Sequence, residues 1–150
     1  MPVTYRSAPR QRSFASPRRL SSRECRDWLD SHQEGRLAYP TGRGPRSVVV
    51  SYAITGHQIM FRLPDYNDIV HYAPGERVTL EVDGVHAPAG DFETVLVTGE
   101  AQLAGEHSPE LAGTEFVEEW PAGVRTSVLC LPMTKVEGFE HHGAGASLPG

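Results

Sequence analysis

The chain has 150 residues, of which 39% are hydrophobic, and its formal net charge at pH 7 is −5. This length predicts one domain with a sizeable core, and no apolar run is long enough to suggest a transmembrane helix or a secretory signal. The two cysteines, Cys25 and Cys130, fit no metal-ligand spacing and are expected to be buried packing thiols of a cytoplasmic protein.

The charge is distributed unevenly along the chain. Residues 1–19 contain five arginines, and all nineteen acidic residues follow them. The chain after residue 19 is therefore strongly acidic, which makes it a poor nucleic-acid binder. We expect residues 1–19 to form a flexible basic arm. The alternative is an arm that docks on the acidic body or on a partner subunit.

A helix is predicted from Ser21 to Gly35. Ser21 and Glu24 fit a capping box, Leu20 can serve as the staple residue before it, and Gly35 suits the C-terminal cap. One helix face would carry Cys25, Trp28, Leu29 and His32.

The rest of the chain reads as about six short strands separated by turns. The strand segments are 36–39, 47–54, 58–63, 77–82, 92–103 and 124–131, with a continuation at 134–139. A loop is expected from Gly84 to Gly90. Two short helices are predicted between strands, one capped by Asp65 or Asn67 and one running from Ser108 to about Trp120. Tight connections favour antiparallel pairing in a closed or half-closed barrel.

The order of these segments resembles a known family. The relevant stretches are LSSREC from Leu20, GRLA from Gly35, PRSVVVSYA from Pro45, QIMFR from Gln58 and WPAGVR from Trp120. From Leu20 to about Glu140 the chain resembles the pyridoxamine 5′-phosphate oxidase-like family of flavin-binding split β-barrels. The resemblance implies a mainly β domain at residues 20–140, followed by a loose tail at 141–150.

The resemblance also implies a homodimer with FMN bound at the subunit interface, and the deazaflavin F420 is the alternative cofactor. The edge and polar rim of the isoalloxazine would be contacted by Arg46, Val48, Val49, Val50 and Ser51. The ribityl chain and phosphate would lie near Arg62, Leu63, Asn67 and Asp68. The other subunit would contribute Trp120 and Arg125.

Two positions depart from the family pattern. Leu63 stands where a hydroxyl residue is usual, and Asp68 stands where lysine or arginine usually contacts the phosphate. A carboxylate repels a phosphate that carries nearly two negative charges. Arg62 is therefore interpreted as the remaining half of a phosphate clamp. The simpler interpretation is that Arg62 forms an ion pair with Asp65 or Asp68.

No catalytic acid, base or nucleophile stands out, and the histidines show no metal-ligand spacing. His141 and His142 are expected to lack further ligands, so no metal site is predicted. Two functions remain open. The first is a flavin-dependent oxidoreductase with an unknown substrate. The alternative is a non-catalytic protein that binds a flavin, haem or another flat ligand on the same barrel.

Overall fold

The computed structural model describes residues 17–86, 91–105, 111, 114–116 and 120–142. The strands are β1 (Arg18–Arg19), β2 (Glu34–Thr41), β3 (Gly44–Ser51), β4 (Ala53–Thr55), β5 (Gln58–Pro64), β6 (Arg77–His86), β7 (Asp91–Glu100), β8 (Gln102–Leu103), β9 (Thr126–Pro132) and β10 (Lys135–His141). The helices are α1 (Ser22–Asp30) and α2 (Asp68–Tyr72), and no helix of the described part is long and apolar enough to cross a bilayer. The mainly β prediction is confirmed.

The strands form two antiparallel sheets. The six-stranded sheet has the order β1-β10-β7-β6-β2-β3, and the four-stranded sheet has the order β4-β5-β9-β8. The chain passes between the sheets at Tyr52 and at Ala101, which are both buried. The predicted single strands 47–54 and 92–103 are therefore wrong, since each is divided between the sheets. At the first crossing the Tyr52 hydroxyl donates to the Leu29 carbonyl at 2.7 Å, which fixes the bend against α1.

Helix α1 begins as predicted but ends earlier. The Ser21 hydroxyl accepts from the Glu24 amide at 3.1 Å, and the Glu24 carboxylate accepts from the Ser21 amide at 3.0 Å. The helix ends at Asp30 with Ser31 as its cap, whereas Gly35 lies in β2. A Cβ at Gly35 would lie 2.8 Å from the Glu81 carbonyl oxygen, so this glycine permits close strand packing.

The main core lies between the two sheets and α1. The predicted apolar face of the helix is confirmed for Cys25, Trp28 and Leu29, which are all buried. The Trp28 indole donates to the Val82 carbonyl at 2.9 Å, so its polar atom is satisfied inside the core. Cys130 is also buried, and burial raises the pKa of the Cys25 thiol.

A second, smaller apolar cluster lies on the other face of the four-stranded sheet. Its buried members are Met60, Val128 and Cys130, against which Ala104, Leu111 and Phe116 pack. The predicted helix from Ser108 to Trp120 falls largely outside the described residues, but residues 114–116 are not helical. Leu111 and Phe116 both face this sheet, although five positions along a helix would turn them roughly 140° apart.

Three predicted boundaries shift because strands extend further than expected. Arg18 and Arg19, placed in the arm, form β1 and pair with Glu140 and Phe139 of β10. Strand β6 continues through the predicted loop start to His86, and β10 continues to His141, inside the predicted tail. The rest of the predicted arm (1–16), loop (87–90) and tail (143–150) lies outside the described residues.

Candidate functional site

The predicted flavin-facing strand, β3, forms one edge of the six-stranded sheet. Among the described strands it pairs only with β2, in a register that sets Val49 opposite Arg36. An edge strand has alternate backbone N–H and C=O groups that point away from its single partner. The Val49 side chain is 59% exposed, whereas Val50 is buried in the core. In segment 48–50 the Val50 side chain is therefore anchored in the core, while no other described strand covers the outer edge.

Arg46, at the start of β3, forms an ion pair with Asp68, at the start of α2. Its Nη1 atom donates to Asp68 Oδ2 at 2.8 Å, and the two side chains are 54% and 52% exposed. An ion pair this exposed contributes at most about 1 kcal/mol to stability. The carboxylate at the predicted phosphate position thus has a basic partner that is held only weakly.

Asn67 orients the start of α2. Its side-chain oxygen accepts from the Ile69 amide at 3.1 Å, so Asn67 is the N-cap and Asp65 is not. Ile69 is fully buried and holds the helix against the core. Asn67 is therefore engaged in capping, and Asp68 is the residue that the helix start presents to Arg46.

Arg62 has aromatic neighbours and no ion pair with Asp65 or Asp68. Its guanidinium carbon lies 4.5 Å from the centroid of the Phe116 ring, within cation–π range. Its backbone carbonyl accepts from the Trp120 indole at 3.3 Å. Asp68 is paired with Arg46, so the expected local ion pair of Arg62 is wrong within the described residues.

Asp65 is engaged across the sheet instead. Its carboxylate accepts from the Ser127 hydroxyl at 2.5 Å, and its amide donates to the Arg125 carbonyl at 2.9 Å. These bonds fix the end of β5 against the start of β9. They also explain why Asp65, the acidic residue closest in sequence to Arg62, turns towards Ser127 instead of Arg62.

A cavity of about 550 Å³ opens on this face of the four-stranded sheet. Its lining includes the arginines Arg62 and Arg125 and the apolar side chains of Leu103 and Val128. Arg125 and Trp120 thus lie near Arg62 of the same chain. The resemblance had implied that both residues serve the site of the other subunit, a prediction that a single chain does not test.

A sequence model of the family described as pyridoxamine 5′-phosphate oxidase matches residues 21–140. The chain belongs to this family. The split β-barrel inferred from the sequence agrees with its two antiparallel sheets. No curated protein matches the chain.

Several solved structures share the fold. The FAD-binding protein from Mycobacterium smegmatis superposes with a TM-score of 0.75 at 22% identity, covering 85% of this chain and 100% of that one. A FAD-binding protein from Mesorhizobium loti gives 0.70 at 21% identity, with 85% and 98% covered. The FAD- and haem-binding protein from M. smegmatis gives 0.63 at 10% identity, with 82% and 72% covered. At these identities the likeness shows the fold alone.

The predicted site residues of this family member fall into two groups. One contains the β3 segment with Arg46, Asn67 and Asp68, and the other contains Arg62, Trp120 and Arg125. Within the described part of the chain, no hydrogen bond, ion pair or ring contact joins the two groups.

Two predicted residues have limited access to a ligand. Leu63 is 4% exposed and belongs to the core, so it could offer a ligand only backbone groups. Ser51 is half-buried at the end of β3.

Sequence reasoning missed the Arg46–Asp68 pair and the contact of Arg62 with Phe116. The partners are separated by 22 positions in the first case, and the second depends on a segment that was predicted as a helix. In the sequence Asp68 looked unpaired at a predicted phosphate position. That was the signal that could have prompted a search for a nearby arginine.

Proposed function

We propose that this chain binds a flavin along the outer edge of β3 and acts as an oxidoreductase. The supporting observation is the accessible edge at 48–50, in a chain of the pyridoxamine 5′-phosphate oxidase family. Backbone N–H and C=O groups there suit the polar rim of a flat ring, and exposed Val49 suits its apolar surface. The flavin would supply the hydride chemistry, and the protein would supply orientation and exclusion of water.

The phosphate end of the ligand would meet Arg46 and Asp68. Arg46 can replace the missing basic residue of α2 if it leaves Asp68, because their exposed ion pair is weak. FMN, the cofactor implied by the family resemblance, carries a phosphate with nearly two charges, and Asp68 opposes it. Each phosphate of FAD carries one charge and is opposed less. The solved relatives described as FAD-binding support a flavin without deciding between these two.

We propose further that the protein is a homodimer whose interface covers the edge of β3. Edge strands with exposed apolar side chains are protected in native proteins, and Val49 is such a side chain. Sedimentation of the purified chain at micromolar concentration should therefore give twice the 16.4 kDa mass. A monomer that still binds flavin would refute a site shared between subunits.

The flavin proposal is tested by identifying and blocking the site. Mass spectrometry of small molecules released on denaturation should detect a flavin, and titration with riboflavin, FMN, FAD and F420 should rank the ligands. Val49→Trp should block the strand edge and abolish binding. Val85→Trp is the matched control, since Val85 is 75% exposed on β6, away from β3. Equal binding by both variants would remove β3 from the site.

The second candidate is a flavin- or haem-binding protein without catalysis. The specific observation in its favour is the acid at position 68, which weakens the anchoring of a phosphate and thus retention of a cofactor through turnover. Anaerobic addition of nicotinamide or deazaflavin hydride donors to the flavin-loaded protein separates the candidates. Bleaching of the flavin absorption at a saturable rate supports the oxidoreductase. A bound flavin that the hydride donors leave unbleached supports the binding protein.

A further inference from the structure

Far from β3, three metal-ligating side chains converge where β7 begins and β10 ends. The ligand atoms of Asp91, Glu140 and His142 all lie within 4.8 Å of one another. His142 Nδ1 is 3.4 Å from Asp91 Oδ1. The sequence placed His142 in a loose tail without co-ligands, but β10 extends to residue 141 and brings it beside β7.

The strand register explains why these side chains share a face. Phe92 pairs with His141 and Glu93 pairs with Glu140 across β7 and β10. Side chains alternate between the faces of a strand, so Asp91, Glu140 and His142 project on one side. His141 projects on the other, where its ring stacks on Phe92 with centroids 4.5 Å apart.

Three acidic side chains, Asp91, Glu93 and Glu140, lie on this face. Asp91 and Glu140 are only 21% exposed, and Glu93 lies opposite Glu140 on the same face. Arg18 supplies one positive charge, which it shares between Glu140 and Glu24.

Arg18 contacts one of the two carboxylate oxygens of Glu140. Its Nε and Nη2 atoms lie 2.8 and 2.7 Å from the same carboxylate oxygen, Oε2. Both contacts of the guanidinium are therefore made to Oε2. A carboxylate can bridge an arginine and a metal ion through its two oxygens.

We propose that Asp91, Glu140 and His142 bind a divalent transition-metal ion, Zn²⁺ being the best fit. One imidazole nitrogen and two carboxylate oxygens suit a borderline ion, with water completing the coordination at the exposed side. The bound ion would tie the end of β10 to the start of β7. This site is separate from the proposed flavin site and does not depend on it.

Calorimetric titration of the full chain with Zn²⁺ tests the proposal, with Co²⁺ as a spectroscopic probe. One equivalent should bind, and Asp91→Asn and His142→Ala should each weaken affinity at least about tenfold, since even outer-shell changes have effects of that size. His141→Ala is the matched control and should leave affinity nearly unchanged. Thermal unfolding without metal shows whether each variant is folded, and His142, 55% exposed, is the safer one to replace.

Three results would overturn the proposal. The first is the absence of stoichiometric binding. The second is an equal loss in His141→Ala and His142→Ala, which would indicate adventitious binding by adjacent histidines. The third is unchanged affinity in a folded Asp91→Asn variant.

Discussion

Replacing Asp68 with asparagine should strengthen the binding of FMN. The substitution removes a carboxylate from the proposed phosphate position and releases Arg46, whose Nη1 atom is 2.8 Å from Asp68 Oδ2. Asparagine is nearly the same size as aspartate and also tolerates the first turn of α2. The change therefore acts on charge and leaves the packing of the helix as it is.

The expected magnitude follows from the exposure of the pair. Both side chains are about half exposed, so breaking their ion pair costs less than about 1 kcal/mol. A charge-assisted hydrogen bond to phosphate contributes roughly 1.5–3 kcal/mol. In Asp68→Asn, Arg46 no longer has an ion pair to break, and the phosphate no longer meets a repulsive charge. Together these two effects should strengthen FMN binding by roughly 1–2 kcal/mol, or about five- to thirtyfold in affinity. Asp68→Lys should gain more, up to about 3 kcal/mol, because it adds an attractive charge.

Flavin fluorescence quenching measures these affinities, and riboflavin supplies an internal control. Riboflavin has the same ring without a phosphate, so its affinity should be equal in wild type and Asp68→Asn. Asp27→Asn, an exposed site on α1, makes the same change in net charge elsewhere and should leave both affinities unchanged. The gain for FMN should shrink at high salt, because exposed charges are screened.

The outcome for Arg46 decides whether the reasoning is right. If Arg46 binds the phosphate, Arg46→Ala should weaken the affinity for FMN and leave the affinity for riboflavin unchanged. Adding Asp68→Asn to the Arg46→Ala variant should then increase the FMN affinity only slightly. Equal effects on riboflavin and FMN would mean that residue 68 does not face a phosphate. Nanomolar FMN affinity in the wild type would lead to the same conclusion.

Two further predictions concern stability. Gly138→Ala should lower the free energy of unfolding by about 1–3 kcal/mol, because the added Cβ would lie 2.5 Å from Cys25 Sγ. The control is Gly42→Ala, where a Cβ would meet nothing within 4 Å and the free energy should change by less than about 0.5 kcal/mol. Equal losses for the two variants in urea unfolding would contradict this prediction. The Arg18 guanidinium lowers the pKa of Glu24 from 4.5 to about 2, so the stability from this carboxylate is complete above about pH 4.5 and is lost towards pH 2. Unfolding curves of wild type and Glu24→Gln should therefore converge as the pH falls, and a constant difference would contradict the ion pair.

Local signals predicted the elements of the fold well. The capping box at Ser21 and Glu24, the buried stripe on α1 and the cap at Asn67 all depend on residues within one turn of each other. Such contacts are encoded in short sequence windows. The family resemblance added the barrel, which agrees with the two sheets.

The passages between sheets were not visible in the sequence. Residues 47–54 form one uninterrupted β-rich run, yet the chain changes sheets at Tyr52. That position is fixed by a bond from the Tyr52 hydroxyl to α1, a contact between residues 23 positions apart. Alternation of side chains gives the faces of a strand but not the sheet to which each part belongs.

The electrostatic partners at the candidate site are also products of tertiary structure. The sequence showed an acid at position 68 where the family has a base, and it offered Arg62 as the remaining cation. The fold instead gives that acid a partner from β3, and it directs Arg62 towards Phe116. The charge of the site therefore cannot be read from residue 68 alone, because Arg46 places a basic group beside it. What a phosphate would meet is a weak ion pair, and its affinity depends on how readily Arg46 exchanges one anion for another.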